Sequence, residues 1–232
     1  MPRYIIRYEK GGQARFVGHL DTMKNFERVF RRANLPIAFS QGFNPHPKLS
    51  FASPLAVGVT GAAEFADFHL TEEMEPETVK EAIVNVMLPG FKVLGIKKME
   101  DSIPALMSAV RLGSYIIEIP LEKEWAENLI NEEIDKLLTR EDIIVERVTK
   151  KGLKKKDIKK GIQQLAGRVE GNEIILEALL DLGSVNNIRP EEIVKALKEY
   201  TNIPIDFSVG RIHRNGVYAA KDVELDAPEA EL

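Results

Sequence analysis

Along this chain the spacing of apolar residues switches repeatedly between two and three-to-four, and that alternation limits the fold more than any other feature. Residues 3–8 alternate as a strand and stop at Gly11-Gly12. Leu20, Met23, Phe26, Phe30 and Ala33 then recur at helical spacing, and Asn34 and Pro36 close that helix. Residues 37–39 read as a short strand, 42–47 as a loop, and 49–59 as extended chain broken by Pro54. Residues 64–70 form a strand with Ala66, Phe68 and Leu70 on one face. Residues 76–88 form a helix with Pro76 in its first turn beside Glu75 and Glu77. Residues 91–99 return as a strand after Pro89-Gly90. The order is β-α-β-β-α-β, the split βαβ pattern of a ferredoxin-like sandwich.

The second half repeats that order. Residues 114–119 read as a strand, 121–138 as a helix carrying the single tryptophan, Trp125, and 142–148 as a strand. After a lysine-rich stretch come a strand over 173–180 and a helix over 190–200, with Glu191 and Glu192 in its first turn. A last long strand covers 203–214, and Asn215-Gly216 marks a hairpin into 217–220. The expectation is an α+β chain of two tandem ferredoxin-like (split β-α-β) sandwiches, one over 1–104 and one over 110–221. A disordered acidic tail follows over 222–232. With 232 residues and a 44% hydrophobic share, two packed cores are within reach.

Composition removes whole classes of chemistry. Zero cysteines exclude disulfides, thiolate nucleophiles, cysteine-held zinc and iron–sulfur ligation in this chain. No apolar run is long enough to span a bilayer, and Arg7, Glu9 and Lys10 interrupt the opening apolar stretch, so a cytoplasmic protein without membrane contact is expected. The net charge of −4 hides a segregated pattern. Residues 1–50 hold nine Lys/Arg against three Asp/Glu, and residues 150–168 hold eight against one. Two basic islands on an acidic body still bind a polyanion locally.

Four segments carry candidate chemistry. His19, in Gly18-His19-Leu20-Asp21 at a helix start, admits a general-base role or a plain half-exposed one. The run Ser40-Gln41-Gly42-Phe43-Asn44-Pro45-His46-Pro47-Lys48 is stiffened by two prolines. It gathers an aromatic, an amide, an imidazole and a cation on one loop, a set suited to stacking on a base while meeting phosphate, unless Phe43 plugs the core. Lys24, Arg28 and Arg31 or Arg32 share one face of the first helix, for phosphate or for solvent. The lysine-rich stretch, with Lys154, Lys155, Lys156 and Lys159, reads as a loop. In the expected topology the 11–19 and 42–48 loops share one rim with the Pro89-Gly90 turn. His19, His46 and His69, with Asp21 or Asp67, fit no compact metal-ligand spacing, and no cofactor motif is read.

The runs Arg15-Phe16-Val17-Gly18-His19-Leu20-Asp21, Ser40 through Phe51, and Pro54-Leu55-Ala56-Val57-Gly58 together resemble the radical-SAM-linked protein family, a bacterial domain of unknown function. Lys156-Asp157-Ile158 and Asn187-Ile188-Arg189-Pro190 match later positions of that family. The resemblance implies a radical-SAM enzyme as partner and an RNA-related setting, with tRNA and rRNA as candidates. If such an enzyme is involved, this chain, which has no cysteines to hold its cluster, would be its companion. The function expected is therefore a non-catalytic RNA-binding or substrate-presenting companion. His19, Phe43, Asn44, His46 and Lys48 would form its surface, and Arg28, Arg31, Lys154, Lys155, Lys156 and Lys159 would meet phosphate. Two alternatives stand beside it: an endoribonuclease using His19, with His46, and a protein–protein adaptor that touches no RNA.

Overall fold

The computed structural model describes residues 1–100, 103–149, 152–183, 185–206 and 210–219. The described residues divide into two compact units, one within 1–111 together with 214–219, and one within 112–213. In chain order the first half holds β1 (Arg3–Lys10), α1 (His19–Arg32), β2 (Leu49–Phe51), β3 (Thr60–His69), α2 (Pro76–Val84), β4 (Phe91–Met99) and α3 (Leu106–Ala109). There follow β5 (Val110–Pro120), α4 (Glu127–Leu138), β6 (Ile144–Thr149), β7 (Gly152–Asp157), β8 (Ile162–Glu170), β9 (Glu173–Asp181), α5 (Pro190–Tyr200) and β10 (Arg211–Ala219). The fold class is mixed α+β.

In the first unit β1 lies between β4 and β3, antiparallel to both, and β2 pairs antiparallel with β3. Arg3 sits opposite His69 and Lys10 opposite Gly61. Tyr4, Ile6 and Tyr8 alternate onto the helix side of the sheet and meet Phe26 and Phe30 of α1. Phe30 meets Phe68 at 4.8 Å between ring centroids, and Phe26 meets Tyr8 at 5.0 Å. Each such buried aromatic contributes about 2–3 kcal/mol through burial alone. Gly90 has φ +85°, and a Cβ there would lie 2.6 Å from the Ala14 Cβ and 2.9 Å from the Gly11 carbonyl. Glycine is what lets the Pro89-Gly90 turn close against the loop after β1. β10 also pairs with β3, and its Arg214 reaches Glu64 on β3, each side chain only 2% exposed.

In the second unit the order is β5-β9-β8, each pair antiparallel, while β6 and β7 form a separate hairpin. Ile130 and Ile134 of α4 and Ile193 and Leu197 of α5 pack with Ile117, Ile119, Ile174 and Leu176 of the sheet. Gly167 on β8 lets α4 approach, since a Cβ there would lie 2.7 Å from Ile130.

Several sequence expectations need correction. Residues 37–39 make only two isolated bridges, Ile37 to Leu70 and Phe39 to Pro47, so the second strand of the first unit is the short β2. Trp125 precedes α4 instead of riding on it. The lysine-rich stretch is strand β7, not a loop, and β8 was not foreseen at all. Asn215-Gly216 lies inside β10, because strand pairing overrides the local turn preference. Residues 214–219 group with the first unit, not the second. The expected acidic tail, 222–232, lies outside the described residues, as do Lys150 and Lys151.

Candidate nucleic-acid interface

The 40–48 segment forms a hook clamped at its base. Ser40 N donates to the His46 carbonyl at 2.8 Å, and His46 N donates back to Ser40 Oγ at 3.0 Å. The stem is anchored below that clamp: Lys48 N donates to Ala38 O, Ala38 N to His69 O, and His69 N to Lys48 O. The hook therefore hangs from the His69 end of β3. Gly42 at φ +127° turns the tip. Phe43 does not plug the core; it is fully exposed (106%), and Gln41, Asn44 and His46 are exposed with it. Phe39, which sequence reasoning passed over, is also half exposed at the stem. Lys48 is partly buried.

The C-terminal half of α1 comes to the same end of the unit. Phe30 rests on Phe68, Leu35 N donates to Phe30 O, and Ile37 bridges Leu70 beside His69. Arg28, Arg31 and Arg32 are all exposed there, opposite the buried Phe26, Val29 and Phe30. His69 nearby is held below its ordinary 6.5 by burial, with Lys48 and Arg3 adding to that shift and Asp67 opposing it. Of the neighbouring acids, Glu73 is taken up by Lys98 at 2.5 Å and Asp67 by Arg3.

His19 is not part of this surface. Gly11 N donates to Gly90 O and Gly58 N to Arg15 O, which fixes the 11–19 loop at the Gly61 end of β3. Between Gly61 and His69 the strand covers roughly 26 Å at about 3.3 Å per residue, and α1 itself covers about 20 Å. The expected common rim is therefore corrected: the Pro89-Gly90 turn does join the 11–19 loop, but the hook lies at the opposite end. Reading residues 37–39 as the second strand puts the hook after that strand, whereas it precedes β2.

At the other end His19 packs edge-on against Phe51, 5.5 Å between ring centroids. Burial, then the Lys10 ammonium, holds it below 6.5, so the imidazole is largely neutral near pH 7. Lys10 is itself buried and donates to Val17 O at 2.7 Å. Burial lowers its proton affinity, while Glu64 opposes that shift. Phe16, Leu20 and Val57 are exposed around this end.

In the second unit only two of the four named lysines stand clear. Lys154 and Lys155 are exposed on β7. Lys156 donates to the Asn187 carbonyl at 2.7 Å, and Lys159 donates to the carbonyl of Leu138 at the end of α4. A cation there complements the negative helix terminus. No group of three His, Asp or Glu suited to a metal ion occurs among the described residues. No helix among them is long and apolar enough to cross a membrane.

A family model described as an uncharacterized protein conserved in bacteria (DUF2344) matches residues 3–190. The chain belongs to that family. No curated protein matches it in sequence. Among solved structures it is similar to a chain of a Cbf5-Nop10-Gar1 complex, with TM-score 0.54, 10% identity and coverage of 92% of this chain and 48% of that one. A chain of the archaeal box H/ACA sRNP Nop10-Cbf5 complex aligns at TM-score 0.47 and 8% identity, covering 91% and 46%. The chain thus spans about half the length of these neighbours, and at such identity the first likeness shows the fold alone.

Proposed function

We propose that this chain is a non-catalytic RNA-binding companion of a radical-SAM enzyme, with the hook and the basic half of α1 as its RNA surface. One observation carries the reading: a fully exposed phenylalanine and an exposed histidine sit on a clamped, proline-stiffened hook, at the same end as three exposed arginines. An exposed aromatic on a loop costs burial energy, and a preorganised one avoids the ordering cost when a base stacks on it. Arginines beside it supply the phosphate contacts that give such binding its salt dependence. Lys154 and Lys155 extend the same chemistry to the second unit. The strand orders β4-β1-β3-β2 and β5-β9-β8 support reading the units as tandem ferredoxin-like folds, with β6–β7 as an insertion in the second. The radical-SAM partner rests on the family resemblance carried by the motifs around residues 15–21, 40–51 and 54–58.

Filter binding of single-stranded and hairpin RNA over a salt series tests the surface. Binding should weaken with salt, and Arg28→Gln and Arg31→Gln should each flatten the slope by about 0.7 for a single strand. Absence of binding at low salt, or a slope unmoved by both variants, overturns it. Copurification with the radical-SAM enzyme from RNase-treated extract tests the partner. The His19 ribonuclease reading has to proceed without His46, which lies at the other end of the unit. RNA cleavage abolished by His19→Ala would favour it over the companion role.

A further inference from the structure

The hook surface leaves two short motifs of the sequence unused, Lys156-Asp157-Ile158 and Asn187-Ile188-Arg189-Pro190, and these meet in the second unit. Ile158 and Ile188 are both fully buried in its core, which fixes the backbone on either side. Asp157 Oδ1 accepts from Ile143 N at 3.1 Å and Lys159 N at 2.9 Å, locking the turn after β7. On that frame the Asn187 carbonyl receives two cations at once, Lys156 Nζ and Arg147 Nη2, each at 2.7 Å. Two nitrogens at that distance from one oxygen lie no more than about 5.4 Å apart, twice 2.7 Å. Arg189 stands close by: it is exposed two residues on from Asn187, and its backbone N donates to Glu192 Oε2, the same oxygen that Arg147 Nη2 reaches.

The facing carboxylates are already committed. Glu192 accepts from Arg147 Nε at 2.5 Å, Arg147 Nη2 at 2.6 Å and Arg189 N at 2.9 Å. Asp181 accepts from Gln163 and Asn186, each at 2.8 Å. Among the described residues neither Lys156 nor Arg189 has a carboxylate within ion-pair distance. We propose that Lys156, Arg189 and the outer face of Arg147 form a binding site for a phosphate group. Several oxygens on one centre let a phosphate bridge an ammonium and a guanidinium held this close, and its charge relieves their mutual repulsion. The site stands independently of the hook. Its phosphate comes either from an RNA backbone or from a terminal or free phosphate.

The test is an amide chemical-shift titration of the full chain with inorganic phosphate. It is repeated with one ribo-oligonucleotide in 5′-phosphorylated and unphosphorylated forms. Saturable shifts at Asn187 and Arg189 are expected, weakened about tenfold or more by Arg189→Gln and by Lys156→Gln. Gln at 156 keeps a donor to Asn187, and residue 189 is exposed, so both variants should fold. Lys195→Gln on α5 serves as the control and should leave binding unchanged. Preference for the 5′-phosphorylated oligonucleotide assigns a terminal phosphate. Equal binding of both, lost in Arg189→Gln, assigns the backbone. No saturable shift, or binding indifferent to both substitutions, overturns the site. Hook variants such as Phe43→Ala should leave the phosphate titration unchanged, so failure of the RNA surface and failure of this site are read separately.

Discussion

Replacing Glu64 by Gln should destabilise the first unit more than any surface change. Arg214 Nε donates to Glu64 Oε1 at 2.8 Å, its Nη2 donates to the other oxygen, and Nη2 also reaches Ser53 O at 2.6 Å. Both side chains are 2% exposed. Gln keeps one acceptor but points an amide donor at a guanidinium donor and removes the only charge opposing Arg214 in that pair. Breaking one side of a buried pair costs about 3–5 kcal/mol, a large share of the roughly 5–15 kcal/mol available to a folded domain. Lys10 adds to the cost, because Glu64 is what supports its charged form against burial. With an m-value of about 3 kcal/mol/M, the urea midpoint should fall by roughly 1–2 M at unchanged slope. The double variant Glu64→Met/Arg214→Met should recover part of that loss, since apolar replacement of a whole buried pair is close to neutral. A single-variant loss below about 1 kcal/mol, or a double variant no better than the single, refutes this account of how β10 is held on β3.

Because the folded state depresses the His19 pKa below 6.5, it binds fewer protons there than the unfolded chain. His19 therefore contributes stability above pH 6.5 that is lost as pH falls through its folded pKa. Urea midpoints across pH 5–8, roughly the range of imidazole titration, should show a smaller acid-side decline in His19→Gln than in the native chain; a steeper one contradicts the burial argument. Gly90→Ala forces a Cβ to within 2.6 Å of Ala14 at φ +85°. It should lower stability by about 1–3 kcal/mol, and a thermal melt equal to that of the native chain would show that the turn adapts.

The strongly periodic parts of the chain were legible. α1 announces itself through Met23, Phe26 and Phe30, and β1, β4, β9 and α5 were all placed within a residue or two. β8 was hidden because Ile162-Gln163-Gln164-Leu165 shows no alternation; it is an outer strand whose only buried apolar side chain is Leu165. The hook's chemistry could be read from its residues but its location could not. A three-residue strand, Leu49–Phe51, leaves almost no periodic signal, and taking residues 37–39 in its place puts the hook after the second strand, at the wrong end of the unit. The Glu64–Arg214 and Arg147–Glu192 pairs join positions 150 and 45 residues apart, a separation that no local pattern reports.

The central claim is that the hook stacks an RNA base, and the most direct measurement compares RNA affinity of the native chain with Phe43→Ala at fixed salt. Phe43 touches no core, so folding should be untouched while affinity falls by about 1–3 kcal/mol, roughly five- to 150-fold. Equal affinity in the two proteins, with RNA demonstrably bound, would contradict it.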